Sequence, residues 1–101
     1  MKVVLNIEIN RVLEPKDIQE IVRRAEFALP ASAPSLVIAL SGRLPVWAFG
    51  ALIHHYHPAL AVAVYDPRLG GGVVVATHSP EFKVGQVVDL ADFAQVKVQI
   101  L

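Results

Sequence analysis

The chain has 101 residues, with nine basic and nine acidic side chains and a formal net charge of zero. A length of that order predicts one domain, and balanced charge gives no basic field for sliding along long nucleic acid. Cysteine is absent, which excludes disulfides and thiolate metal sites, and no apolar run approaches the ~20 residues that span a bilayer.

Met1 and Lys2 lead into an alternating pattern rather than an apolar leader, so a cytoplasmic protein is expected. Val3, Leu5, Ile7 and Ile9 alternate with Val4, Asn6, Glu8 and Asn10, which predicts a half-buried strand. Glu14-Pro15-Lys16-Asp17 then opens a helix, with proline in its first turn and acids at the positive end of its dipole. Ile18, Ile21, Val22, Ala25, Ala28 and Leu29 form its apolar stripe, and Lys16, Glu20, Arg23 and Arg24 face water. A loop over residues 30–35 leads to residues 36–40, an unbroken apolar run that predicts a strand buried on both faces.

A second helix is expected over residues 45–56, stopped by Pro58. Val46, Trp47, Phe49, Ala51, Leu52 and Ile53 go nearly all the way round it, so it should be covered on most sides. Residues 60–65 form a third strand. A turn over residues 66–72 joins it to a fourth over 73–77, and after a loop two short strands follow over 86–90 and 96–101. The order β-α-β-α-β-β-β-β predicts an α/β fold, a single small domain over residues 1–101 with a mixed sheet and two helices. Hydrophobic residues make up 54% of the chain, above the ~45–50% that is usual. A domain this small buries only about 60–65% of its unfolded surface, so the excess predicts a partner, by default a homodimer.

All four histidines, His54, His55, His57 and His78, bracket the turn Tyr65-Asp66-Pro67-Arg68-Leu69-Gly70. His54 and His57, three apart, would share a helix face, where two imidazoles hold one metal or divide ligation and proton transfer. The plainer role is a cation at the negative end of a helix dipole, and His55, off that face, is read as surface. Asp66 is a candidate metal ligand or proton acceptor, and Arg68 a stabiliser of charge on a phosphoryl group. Asp-Pro also starts turns, and Arg68 would then simply neutralise it. His78 closes the neighbouring strand. Ser41-Gly42-Arg43 joins the end of a buried strand to a helix N-terminus, where free N–H groups and the dipole favour an anion. Arg43 adds a bidentate phosphate donor, although an ordinary strand-to-helix turn would have the same composition. Chemistry alone points to metal- or acid/base-assisted phosphodiester cleavage, with a short nucleotide held by local cations.

Ser41-Gly42-Arg43-x-Pro45-x-Trp47, His54-x-Tyr56-His57, Ala63-Val64-Tyr65-Asp66-Pro67-Arg68-Leu69-Gly70, Val73-Val74-Val75 and His78-Ser79 follow in a definite order and spacing. Across residues 36–90 the chain resembles the small manganese-linked (Csx3-like) ring nuclease family of type III CRISPR systems. The resemblance implies cleavage of the second messenger cyclic tetra-adenylate to linear oligoadenylates, which switches off type III antiviral signalling. It implies Mn²⁺ as cofactor. His57, Asp66 and Arg68 would be catalytic, with His57 and Asp66 on the metal and His54 and His78 in support. Ser41, Gly42 and Arg43 would bind the ring. It also implies homodimers stacked head to tail around the ligand, with no membrane partner. A helix of about twelve residues is about 18 Å long, so polar sites at its two ends would face opposite sides of one subunit. The same resemblance carries an alternative, a manganese-dependent exonuclease acting on RNA 3′ ends. A non-catalytic sensor of the ring and a ligand-free dimeric scaffold are alternatives of other classes. Two departures stand out: an extra glycine in Gly70-Gly71-Gly72, expected to lengthen the turn, and Pro58, expected to reorient His57.

Overall fold

The most apolar segments of the chain lie side by side as parallel strands in a computed structural model that describes residues 1–101. These are β1 (Lys2–Ile9), β2 (Val37–Gly42) and β3 (Ala61–Asp66), with β1 beside β2 and β2 beside β3. Parallel neighbours need crossovers, and two helices supply them: α1 (Ile18–Ala28) and α2 (Val46–His55). β4 (Gly71–Thr77) returns antiparallel to β3, and the two-residue β5 (Val87–Val88) pairs with β4. The chain then crosses to the far edge, where β6 (Ala94–Ile100) runs parallel to β1. The sheet order is β5-β4-β3-β2-β1-β6, a mixed six-stranded sheet with two helices, as the element order predicts.

Both crossovers step the chain in one direction, so α1 and α2 share one face of the sheet. There Ile21, Ala25 and Leu29, with Ala48 and Leu52, pack on Leu5, Ile7, Ile38, Leu40 and Val62. The alternate strand residues, Val4, Val37, Ala39, Ala61, Ala63 and Val74, face the other way. No helix covers that face. The segment between β4 and β6 folds across it instead, with Phe82, Leu90 and Phe93 on the apolar half. No helix is long and apolar enough to cross a membrane.

Three expectations change, and one concerning the second helix holds. The first helix begins as a 3-10 turn over Pro15–Asp17, where the Asp17 carboxylate accepts the Glu14 N–H at 2.8 Å. Its stripe ends early: Ala28 is exposed, and Leu29 reaches the core from an extended backbone. The second helix is covered on most sides, as expected: Trp47, Phe49 and Ile53 pack partly buried against the core, and only the side carrying Val46, Gly50 and His54 is exposed. Ala48 and Leu52 are buried within it, and Val46 is 85% exposed. Its only helical neighbour is α1, so a two-layer fold leaves its outer side bare. Finally, Gly71 and Gly72 do not lengthen the turn but belong to β4. A Cβ on Gly71 would lie 2.8 Å from the Val88 carbonyl oxygen, so the extra glycine admits β5 close against β4.

Candidate functional site

The candidate residues separate onto the two ends of the sheet. At the carboxyl end, β2 finishes in Ser41 and Gly42, and Arg43 follows just before α2. Gly42 adopts φ +148°, and a Cβ there would meet the Ile7 carbonyl oxygen at 2.5 Å. The chain can leave the sheet in this way only with glycine. β3 ends beside it in Asp66.

The turn after Asp66 is built on that residue. Its backbone carbonyl accepts the Leu69 and Gly70 N–H groups at 3.1 and 2.9 Å. Its Oδ1 accepts the Arg68 backbone N–H at 2.9 Å and Arg68 Nε at 3.3 Å, and its Oδ2 accepts Arg68 Nη2 at 3.0 Å. The Arg68 guanidinium therefore holds the Asp66 carboxyl below the usual carboxylate range, and Asp66 raises Arg68 in turn. Charge-assisted, bidentate contacts of this kind fix orientation as well as ionisation. Arg68 itself stays open to solvent on its outer side.

At the amino end the partners are imidazoles. α2 stops at His55, and a turn carries His57 to the start of β3. β4 runs back antiparallel, pairing Thr77 with Ala61, so His78 arrives at the same place. His78 Nε2 lies 3.0 Å from the His57 carbonyl oxygen and 3.3 Å from His57 Nδ1. His78's backbone N–H donates to Leu60 O at 2.7 Å, which pins the strand end. Both rings are exposed.

His57 and Asp66, expected to act in one half-site, are thus at opposite ends of β3. The five steps from Ala61 to Asp66 alone span about 16 Å. His78 does not approach Asp66 either, since the β3–β4 hairpin pairs Asp66 with Gly71. His54 and His57 do not share a helix face, because the helix ends between them and the His57 N–H bonds to His54 O in a turn. His54 is exposed. His55, expected as plain surface, is partly buried: its Nε2 is 2.7 Å from Glu26 Oε1, which also accepts the Ala31 N–H at 2.9 Å.

Imidazole nitrogens at the His57–His78 spacing are sound donors for a divalent transition metal. Yet no group of three or more metal-ligating side chains comes together within one chain.

Three residues near the carboxyl end were not singled out by sequence reasoning. Asn6, Tyr65 and Gln95 share a cavity with Ser41 on the helix-free face. Asn6 carries the one usable signal, an amide that interrupts an apolar strand.

Comparisons with known proteins place the chain in a family. A family model described as CRISPR-associated protein (Cas_csx3) matches residues 6–89, which include both ends of the sheet. A protein of Aquifex aeolicus (strain VF5), described as an uncharacterized protein, is 45% identical over 84 residues. That match covers 83% of this chain and 74% of the Aquifex protein.

Proposed function

The chain belongs to the CRISPR-associated Csx3 family, and from that membership and its two-ended site we propose that it is a ring nuclease acting on cyclic tetra-adenylate. Its role is CRISPR-related; the cleavage of the ring to linear oligoadenylates is our reading. The observation that carries it is the division of the site. Ser41, Gly42, Arg43, Asp66 and Arg68 gather at one end of the sheet, and His57 and His78 at the other. Neither end alone holds both an anion cradle and a pair of proton-moving imidazoles. Head-to-tail stacking of homodimers brings the carboxyl end of one copy against the amino end of the next, and closes a ligand between them. The open side of α2, where Val46 is exposed, is the candidate face for the dimer itself.

In this reading the Ser41-Gly42 backbone and Arg43 hold ring phosphates. Arg68 is placed to meet charge that develops on the scissile phosphoryl oxygens. Asp66, kept ionised by Arg68, accepts a proton or ligates metal. His57 and His78 approach from the stacked copy as proton donors and acceptors or as ligands. Mn²⁺, held by His57 and His78 of one copy and Asp66 of a second, would supply charge neutralisation at the phosphate.

The test is incubation of the protein with cyclic tetra-adenylate, with and without Mn²⁺, followed by identification of the products. Linear oligoadenylate from wild type but not from Asp66→Ala is expected. Intact ring after long incubation at high enzyme overturns the reading. Ring retained and released unchanged would make the protein a sensor. Trimming of linear RNA 3′ ends with the ring untouched would make it an exonuclease.

A further inference from the structure

β1 lies between β2 and β6, so a polar side chain on β1 is flanked from both sides. Asn6 pairs in register with Ser41 on β2, and Gln95 on β6 stands opposite Val4, two residues before it. Strand alternation turns Val4, Asn6, Ser41 and Gln95 onto the helix-free face. Tyr65, next to Asp66, reaches the same face from β3. With Leu90 these residues line a cavity of about 180 Å³. Pockets that enclose drug-sized ligands measure about 300–1,000 Å³, so this one suits a single flat heterocycle.

The chemistry inside is that of a base reader. Asn6 Nδ2 donates to Gln95 Oε1 at 3.3 Å. That link leaves Asn6 Oδ1 free to accept and Gln95 Nε2 free to donate. Adenine presents the complement, an amino group that donates beside a ring nitrogen that accepts, and amide side chains pair with it on that basis. Hypoxanthine puts a carbonyl where adenine has the amino group, so it would face the Asn6 acceptor with another acceptor. Tyr65 is 38% exposed, enough to offer a ring face for stacking, while Val4 and Leu90 give the cavity its apolar walls. Ser41, assigned above to the phosphates, lines the cavity, and Tyr65 precedes Asp66 in the chain.

Resting on the ring nuclease reading, we infer that this cavity is its adenine-reading subsite: Tyr65 stacks on one base of the ring while Asn6 and Gln95 hydrogen-bond its amino edge. The subsite makes the enzyme selective for adenylate by base identity, independently of ring size.

Two arms separate the subsite from the reading it rests on. In the first, 5′-AMP and 5′-IMP are titrated separately into wild-type protein, and the Asn6 and Gln95 side-chain amide resonances are followed. The two nucleotides share a phosphate and a sugar, so any difference reports the base. AMP should move both amides and bind roughly 10-fold or more tighter than IMP, the scale of one amide–base pair. Equal affinity, or amides that neither nucleotide disturbs, overturns the subsite. In the second arm, Tyr65→Ala should weaken binding of cyclic tetra-adenylate roughly 10- to 100-fold, the scale of one lost base–aromatic stack. Tyr65→Phe should bind like wild type. Unchanged ring binding in Tyr65→Ala and Asn6→Ala sinks the subsite and leaves the nuclease standing. Selection of AMP over IMP by a protein that neither binds nor cuts the ring leaves the subsite standing and sinks the nuclease.

Discussion

The two ends of the sheet are built by different means. At the carboxyl end, backbone does most of the placing: a strand terminus, a glycine that only a bare Cα permits, and a turn whose N–H groups close on Asp66. At the amino end, two exposed imidazoles meet because a helix stops and a hairpin returns. The first arrangement is pre-organised within one chain. The second offers donors without a carboxylate, and the first offers a carboxylate without an imidazole. In the proposed reading, each end is incomplete alone for phosphodiester chemistry, and the two complete each other only between copies.

The largest effect tests that complementarity. His57→Ala and Asp66→Ala should each lower ring cleavage by about 10²–10⁴-fold, the usual contribution of a positioned acid or base. A mixture of the two inactive variants should regain activity, because a His57→Ala copy still offers Asp66 and an Asp66→Ala copy still offers His57. A mixture as inactive as its components would place both residues in one chain's site and break the two-ended picture.

Next in size is the removal of Arg68. Arg68→Ala should reduce cleavage roughly 10²–10³-fold, as loss of one preorganised charge stabiliser does. It also has a signature in pH. In wild type, Arg68 holds the Asp66 carboxyl below its usual range, so Asp66 stays ionised to lower pH than an ordinary carboxylate. Without Arg68 that carboxyl returns toward the ordinary value, and the acid limb of the pH–rate profile should move to higher pH. An acid limb that stays put would separate Asp66 from the chemistry.

What the sequence made legible follows from local physics. Alternation in residues 3–9, the apolar run that becomes β2 and the Asp-Pro turn all locate elements, because each is decided by near neighbours. The covering of most of α2 was legible from its apolar residues, but the position of its one open side, at Val46, Gly50 and His54, was not, since that depends on the number of layers. The three-residue spacing of His54 and His57 misled for a plainer reason. It places side chains on one face only while the helix continues, and here it ends at His55. The separation of His57 from Asp66 is topological. A helix that connects parallel strands runs back along the sheet, so its C-terminus must lie at the opposite end from the C-terminus of the strand that follows. Closeness in sequence hid that distance, and only the parallel β2–α2–β3 unit reveals it.

Smaller effects concern how the carboxyl end is held to the rest of the fold. Gly42→Ala should destabilise the protein by about 1–3 kcal/mol, the range for forcing a side chain into a glycine-only backbone region. The added Cβ would press on the Ile7 carbonyl of β1. Chemical denaturation reads this directly, and unchanged stability would mean that the β2 exit is not as tightly specified as the geometry indicates. At the other end, the buried Tyr56 hydroxyl donates to Leu29 O at 2.7 Å and ties the ends of α1 and α2 together. Tyr56→Phe should cost about 1 kcal/mol, the net worth of such a bond.

The smallest effect is a slope rather than a loss. The Ala31 N–H, and after it His55, hold the Glu26 carboxyl below its usual range. A carboxyl depressed in the folded state binds a proton less readily than in the unfolded chain. Its contribution to stability is therefore fully present above the ordinary carboxylate range, and it is lost as pH falls through and below that range. Glu26→Gln keeps an oxygen to accept the Ala31 N–H but removes the charge. Stability measured from neutral pH downward should fall less steeply in Glu26→Gln than in wild type, with the curves converging at acid pH, where Glu26 is protonated. Parallel curves would show that the link from α1 to His55 bears on geometry alone. Because His55 closes α2 just before the turn to His57, such a link still sets where the imidazole end of the site begins.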